Sequence, residues 1–75
     1  MNSVMRVLGA AGDAETNWDP TDPPSVEKAR QAFEAYRKAG LLTFSVSEPG
    51  AEATLVRAFD PAASEIVVTR PLVGG

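Results

Sequence analysis

The chain has 75 residues, ten acidic and seven basic side chains, no histidine and no cysteine, for a formal net charge of -3. That length allows one domain with a small core and little room for a deep catalytic cavity. Without histidine and cysteine the chain lacks the commonest general base, the usual zinc and thiolate ligands and any disulfide. The mild charge carries no nucleic-acid footprint, no apolar run is long enough for a membrane span, and the first residues contain no apolar signal-peptide core. A cytoplasmic protein that is not an enzyme is expected.

Residues 3–8 read as a first strand, with Val4, Arg6 and Leu8 on one face and Met5 and Val7 on the other; the pattern leaves open which face is buried. Gly9 and Gly12 sit in a turn. Residues 14–18 alternate again, with Ala14, Thr16 and Trp18 on one side, and pair back as a hairpin. Trp18 is expected as a packing residue of the core or the hairpin edge. Residues 19–24 contain Pro20, Pro23 and Pro24, which fix φ and remove donors, so this is a rigid connector into a helix. Its aspartates match no calcium loop. Either Asp22 or Ser25 serves as the N-cap.

Residues 25–39 carry the helical period. Val26, Ala29, Phe33 and Tyr36 form one apolar stripe, widened by Ala32, and the opposite side is charged. Glu34 and Lys38 are spaced as an i,i+4 pair, basic residues fill the last turn, and Gly40 suits the C′ position. Residues 41–47 alternate, which predicts Leu42, Phe44 and Val46 inward and Thr43, Ser45 and Ser47 outward. Glu48-Pro49-Gly50-Ala51 has type II turn chemistry. Residues 53–59 read as a strand, 60–64 as a turn or one helical turn, and 65–70 as a last strand that Pro71 ends.

Strand, strand, helix, strand, strand, strand is the order of a two-layer α+β fold, with one helix across one face of a mixed sheet of four to five strands. The β-grasp has this order. The expected domain covers residues 1–70 and an extended tail covers 71–75, closing on Gly74-Gly75. Such a tail is either a carboxylate that threads into another protein's active-site channel or a frayed end with no role.

Element order and tail together resemble the ubiquitin-like proteins. The chain is similar in particular to prokaryotic ubiquitin-like proteins of bacteria and phages, through Trp18-Asp19-Pro20 before the helix, Phe59-Asp60-Pro61 before the last strand, and Gly74-Gly75. The resemblance implies a protein modifier or sulfur carrier. An activating enzyme would use ATP to adenylate the Gly75 carboxylate, then pass it on as a thioester or thiocarboxylate. Arg70, Pro71, Leu72 and Val73 would contact that enzyme. A conjugating enzyme, a deconjugating protease and a target protein complete the implied partners. No cofactor is bound by the chain itself. Val73 stands where ubiquitin has arginine, and the only lysines are Lys28 and Lys38, so extensive chains built on them are not expected. The chemistry suits glycine, which lets backbone approach a nucleotide closely in a channel that excludes water.

The competing reading is a small structural or adaptor protein, such as an assembly component or regulatory binder, that acts through its sheet face. On that face Arg6, Arg57 and Arg70 are candidates to cluster against an acidic partner. Gly9-Ala-Ala-Gly12 lacks the lysine and following helix of a phosphate loop. Ser47 and Thr43 have no base to activate them.

Overall fold

The structure, a computed structural model, describes residues 2–9 and 14–71. Its helix, α1 (Pro23–Lys38), opens at Asp22, which is extended at φ -115° and is followed by two prolines. A helix start leaves its first N–H groups without partners, so prolines there forfeit nothing, and Asp22 needs no side-chain cap. Of the two candidate caps Asp22 is the one used. Ser25 lies inside the first turn, where its Oγ accepts the Asp19 N–H at 2.9 Å and donates to the Asp22 carbonyl at 2.9 Å. The far end closes with Gly40 at φ +90°, a region that favours glycine. The Gly40 N–H reaches the Arg37 carbonyl at 3.0 Å and the Leu41 N–H reaches the Tyr36 carbonyl at 3.1 Å, the double closure of a Schellman motif.

Five strands complete the fold: β1 (Ser3–Val7), β2 (Ala14–Trp18), β3 (Leu42–Val46), β4 (Thr54–Leu55) and β5 (Glu65–Thr69). Their order across the sheet is β2-β1-β5-β3-β4. β1 and β5 run parallel, and the other neighbours are antiparallel. The protein is therefore a small α+β fold with one helix on a mixed five-stranded sheet, compatible with a β-grasp-like architecture.

The apolar stripe of α1 meets the sheet as its spacing requires. Ala29 and Phe33 are fully buried, with Val26, Ala32 and Tyr36 packed beside them. The sheet contributes Met5, Ile66 and Val68, all without exposure, and the register sets Met5 beside Ile66 and Val7 beside Val68. This settles the face of β1 that its alternation left open: Met5 and Val7 face the helix, Val4 and Arg6 do not. Trp18 is also buried, with its ring centroid 5.1 Å from that of Phe59, and Phe59 lies edge-on to Phe33 at 5.7 Å.

β3 inverts the expected faces. The register places Thr43 opposite Val68 and Ser45 opposite Ile66, on the helix side, where both are buried. Leu42, Phe44 and Val46 face the other way and are only half-buried. Alternation separates two faces of a strand but does not say which one the helix covers. Here a hydrogen bond decides. Thr43 Oγ1 donates to the Val56 carbonyl at 2.6 Å, and the Val56 N–H donates to the Thr43 carbonyl at 2.9 Å. That clamp holds the segment after β4 against the core. It also accounts for the shortness of β4, which keeps only Thr54 and Leu55 of the expected 53–59. Past Val56 the chain bends so that Phe59 can reach the aromatic group. The turn at 48–51 forms as its residues require, with Gly50 at φ +85° and the Ala51 N–H on the Glu48 carbonyl at 3.0 Å.

Replacing Thr43 by valine keeps the shape and β-branching but leaves the Val56 carbonyl short of a donor. The variant should lose about 1–2 kcal/mol in urea unfolding. A strand with Thr43 facing solvent would show almost no change.

Candidate functional site

The described part of the C-terminal region is the exit of the last strand. β5 is the central strand, bonded on both sides along its length, and it ends at Thr69 opposite Leu42 of β3. On its other side the Leu8 N–H donates to the Val68 carbonyl at 2.9 Å. Arg70 and Pro71 follow, both exposed. Pro71 has no N–H to extend the ladder, which fits the strand's end here. Leu72, Val73, Gly74 and Gly75 lie outside the described residues. The chain thus leaves from the middle of the sheet, with Leu8, which is 44% exposed, on the β1 side and Leu42 on the β3 side.

The second candidate surface is the sheet face away from α1. By register, Arg6, Val67, Phe44 and Leu55 form one row across it, and Val4, Glu65 and Val46 form the next. Leu55 is 52% exposed, and Phe44, Val46 and Val67 are half-buried with no helix over them. An apolar stripe on the uncovered face is the feature that sequence reading missed. The signal was present: Val4, Val67 and Phe44 share a parity once the register is known, but no single strand reveals it.

Arg6 anchors one end of the first row. Its Nη1 meets Glu15 Oε2 and its Nε meets Glu65 Oε2, each at 2.8 Å. Of the three candidate arginines only Arg6 lies within a strand. Arg57 sits in the bend after β4 and Arg70 lies one residue past β5. On the helix, Glu34 pairs with Arg30 at 3.3 Å, and Arg30 also bonds Glu27.

The two aromatic-Asp-Pro segments come together, at the end of the sheet opposite the exit. Asp19 Oδ1 accepts the Thr21 N–H at 2.9 Å, and Asp60 Oδ1 accepts the Ala62 N–H at 3.0 Å. The Asp19 carbonyl accepts the Asp22 N–H at 2.9 Å, and the Asp60 carbonyl accepts the Ala63 N–H at 3.1 Å. Both are the same Asp-initiated turn, in which the short carboxylate replaces a missing backbone partner. Trp18 Nε1 donates to the Pro61 carbonyl at 3.0 Å and ties one corner to the other. These motifs are corners of the scaffold, at the opposite end of the sheet from Arg70 and Pro71.

The Thr21 N–H and hydroxyl hold the Asp19 carboxyl below its ordinary value of 3.8, and the Arg30 guanidinium holds Glu27 below 4.5. A carboxyl depressed in the folded state stabilises above its unfolded pKa and loses that contribution as pH falls through the folded value. Melting temperature should therefore fall as pH drops below about 4, and Asp19→Asn should flatten that acid limb. An unchanged limb in thermal melts followed by circular dichroism would contradict the assignment. The chain matches no protein-family model, no curated protein and no solved structure.

Proposed function

We propose that this protein is a ubiquitin-like modifier or sulfur carrier, the substrate of an ATP-dependent activating enzyme that adenylates the carboxylate of Gly75. What supports this reading is the exit geometry. The residues before Gly74-Gly75 leave from the central strand of the sheet, so the tail is rooted in the most heavily bonded part of the fold. Arg70 and Pro71 are exposed at that root, and on this reading the enzyme channel takes Leu72 and Val73 as well. The chemistry requires Gly75 to carry a free carboxylate in the working molecule, whether by synthesis or by processing. The carboxylate attacks the α-phosphorus of ATP and pyrophosphate leaves. A thiolate or other sulfur nucleophile of the partner then displaces AMP. All catalytic groups belong to the partner.

A second reading, an adaptor that binds through the sheet, is favoured by the uncovered apolar stripe of Phe44, Leu55 and Val67. Exposed apolar patches rimmed by polar groups mark interaction surfaces.

Incubation with ATP and a candidate activating enzyme, followed by intact mass spectrometry, separates the two. The modifier reading expects a covalent adduct that disappears when Gly75 is amidated or extended by one residue. An amidated chain that reacts equally well ends that reading. The adaptor reading expects Phe44→Lys to abolish partner capture, while removal of Gly74 and Gly75 leaves it intact.

A further inference from the structure

The two edges of the sheet are unequal. β4 keeps only Thr54 and Leu55, and Val56 after it turns its N–H and its carbonyl inward to Thr43, so β4 offers outward only the backbone groups of Leu55. β2, at the other edge, runs for five residues without a proline or a bulge, in unbroken register with β1. The Val4 and Leu8 N–H groups donate to the Ser64 and Val68 carbonyls, so these positions and Arg6 turn their backbone toward β5. Ser3, Met5 and Val7 then turn theirs toward β2, because bonding positions alternate along a strand. Their partners Trp18, Thr16 and Ala14 complete that ladder. The N–H and carbonyl groups of Glu15 and Asn17 are left pointing away from the sheet, and among the described residues none bonds to them.

Such a row is a template for another strand, and sheets commonly blunt it with an outward charge. Here the one charged side chain of β2, Glu15, is held at 2.8 Å by Arg6 of the neighbouring strand. The edge is also complementary to itself. Two copies of β2 side by side and antiparallel can be centred on Glu15, Thr16 or Asn17. Centred on Glu15, two carboxylates oppose each other, which is destabilising. Centred on Asn17, Glu15 falls opposite Asp19, whose N–H is already taken by Ser25 Oγ and whose carbonyl is taken by the Asp22 N–H. Centred on Thr16, Glu15 of each copy meets Asn17 of the other. All the outward groups of both residues are then used, in four N–H to carbonyl bonds. The Asn17 amide faces a carboxylate, and the two Thr16 side chains form a close pair of a kind that stabilises sheets.

We propose that the β2 edge is the contact surface for a second copy of this chain, paired antiparallel about a two-fold axis at Thr16 so that the two sheets become one. A self-complementary patch of this kind closes as a dimer and leaves no further edge of the same type. The contact involves neither the tail nor the apolar stripe of the uncovered face, so it stands apart from both readings above.

The full chain is examined by sedimentation equilibrium, and its amide exchange is followed by nitrogen-15 NMR at about 20 µM and about 2 mM. A small contact without an apolar core implies a transient dimer, with a Kd of roughly 0.1 mM. At the higher concentration exchange of the Glu15 and Asn17 amides should slow severalfold, while those of Ala14 and Thr16, already bonded within the chain, change little. Asn17→Glu sets two pairs of like charges across the axis and should raise the Kd about tenfold. Asn17→Lys sets opposite charges there and should lower it. Phe44→Lys, and removal of Gly74 and Gly75, should leave it unchanged. A chain that stays monomeric at about 2 mM overturns the proposal. So does a dimer that Phe44→Lys abolishes, one that leaves the Glu15 and Asn17 amides unprotected, or one that both Asn17 variants weaken equally.

Discussion

The hydrogen bond from the Trp18 indole to the Pro61 carbonyl is the contact on which the remaining packing is arranged. A buried indole N–H must find an acceptor, and a residue inside a strand ladder has its carbonyl committed elsewhere. Pro61 lies in a turn, so its carbonyl is available. The Asp60 carboxylate shapes that turn by accepting the Ala62 N–H. The matching turn at Asp19 follows directly from Trp18 itself. Two corners of the same construction therefore brace each other across the end of the sheet, with Phe59 and Phe33 filling the space between them and the helix. Truncating a buried aromatic to alanine costs about 3–5 kcal/mol. Against a total of about 5–15 kcal/mol for a typical domain, a chain of this size depends heavily on those rings.

The inner face of the sheet shows what this bracing demands. Met5, Ile66 and Val68 supply its apolar centre, while Thr43 and Ser45 occupy the β3 side with no buried side-chain nitrogen or oxygen left unpartnered among the described residues. A hydroxyl at Thr43 is useful there because the segment after β4 has to be held without a full strand ladder. The consequence appears on the other face, where β3 presents Leu42, Phe44 and Val46. A two-layer fold with one helix has only one cover to place, so the second face keeps its apolar residues half-exposed.

Charge contributes little to holding this architecture. The ion pairs of Arg6 and of Arg30 all involve side chains with substantial exposure, where each such contact is worth about 0–1 kcal/mol. Packing and the turn hydrogen bonds carry the fold. The charged groups instead lie at the surface: Arg6 pairs with Glu15 and Glu65 on the uncovered sheet face, and Arg70 is exposed one residue past β5. Among the described residues no helix is long and apolar enough to cross a membrane, and no group of three potential metal-ligating side chains is gathered.

Local chemistry by itself determined a large part of this protein. The apolar stripe from Val26 to Tyr36, the prolines after Asp22, Gly40 past the helix end and Pro49-Gly50 in the turn each require one backbone conformation, and each takes it. These features depend on neighbours within a few residues, and so they are visible in the order of the amino acids. The faces of β1 and β3, the shortening of β4 and the capture of Arg6 by Glu15 and Glu65 depend on partners up to 59 residues away. Alternation in a strand is symmetric between its two sides. Only the pairing of β3 with β5, and the hydroxyl of Thr43 reaching Val56, breaks that symmetry. The uncovered apolar stripe exists because tertiary pairing aligned residues that no stretch of the chain places together.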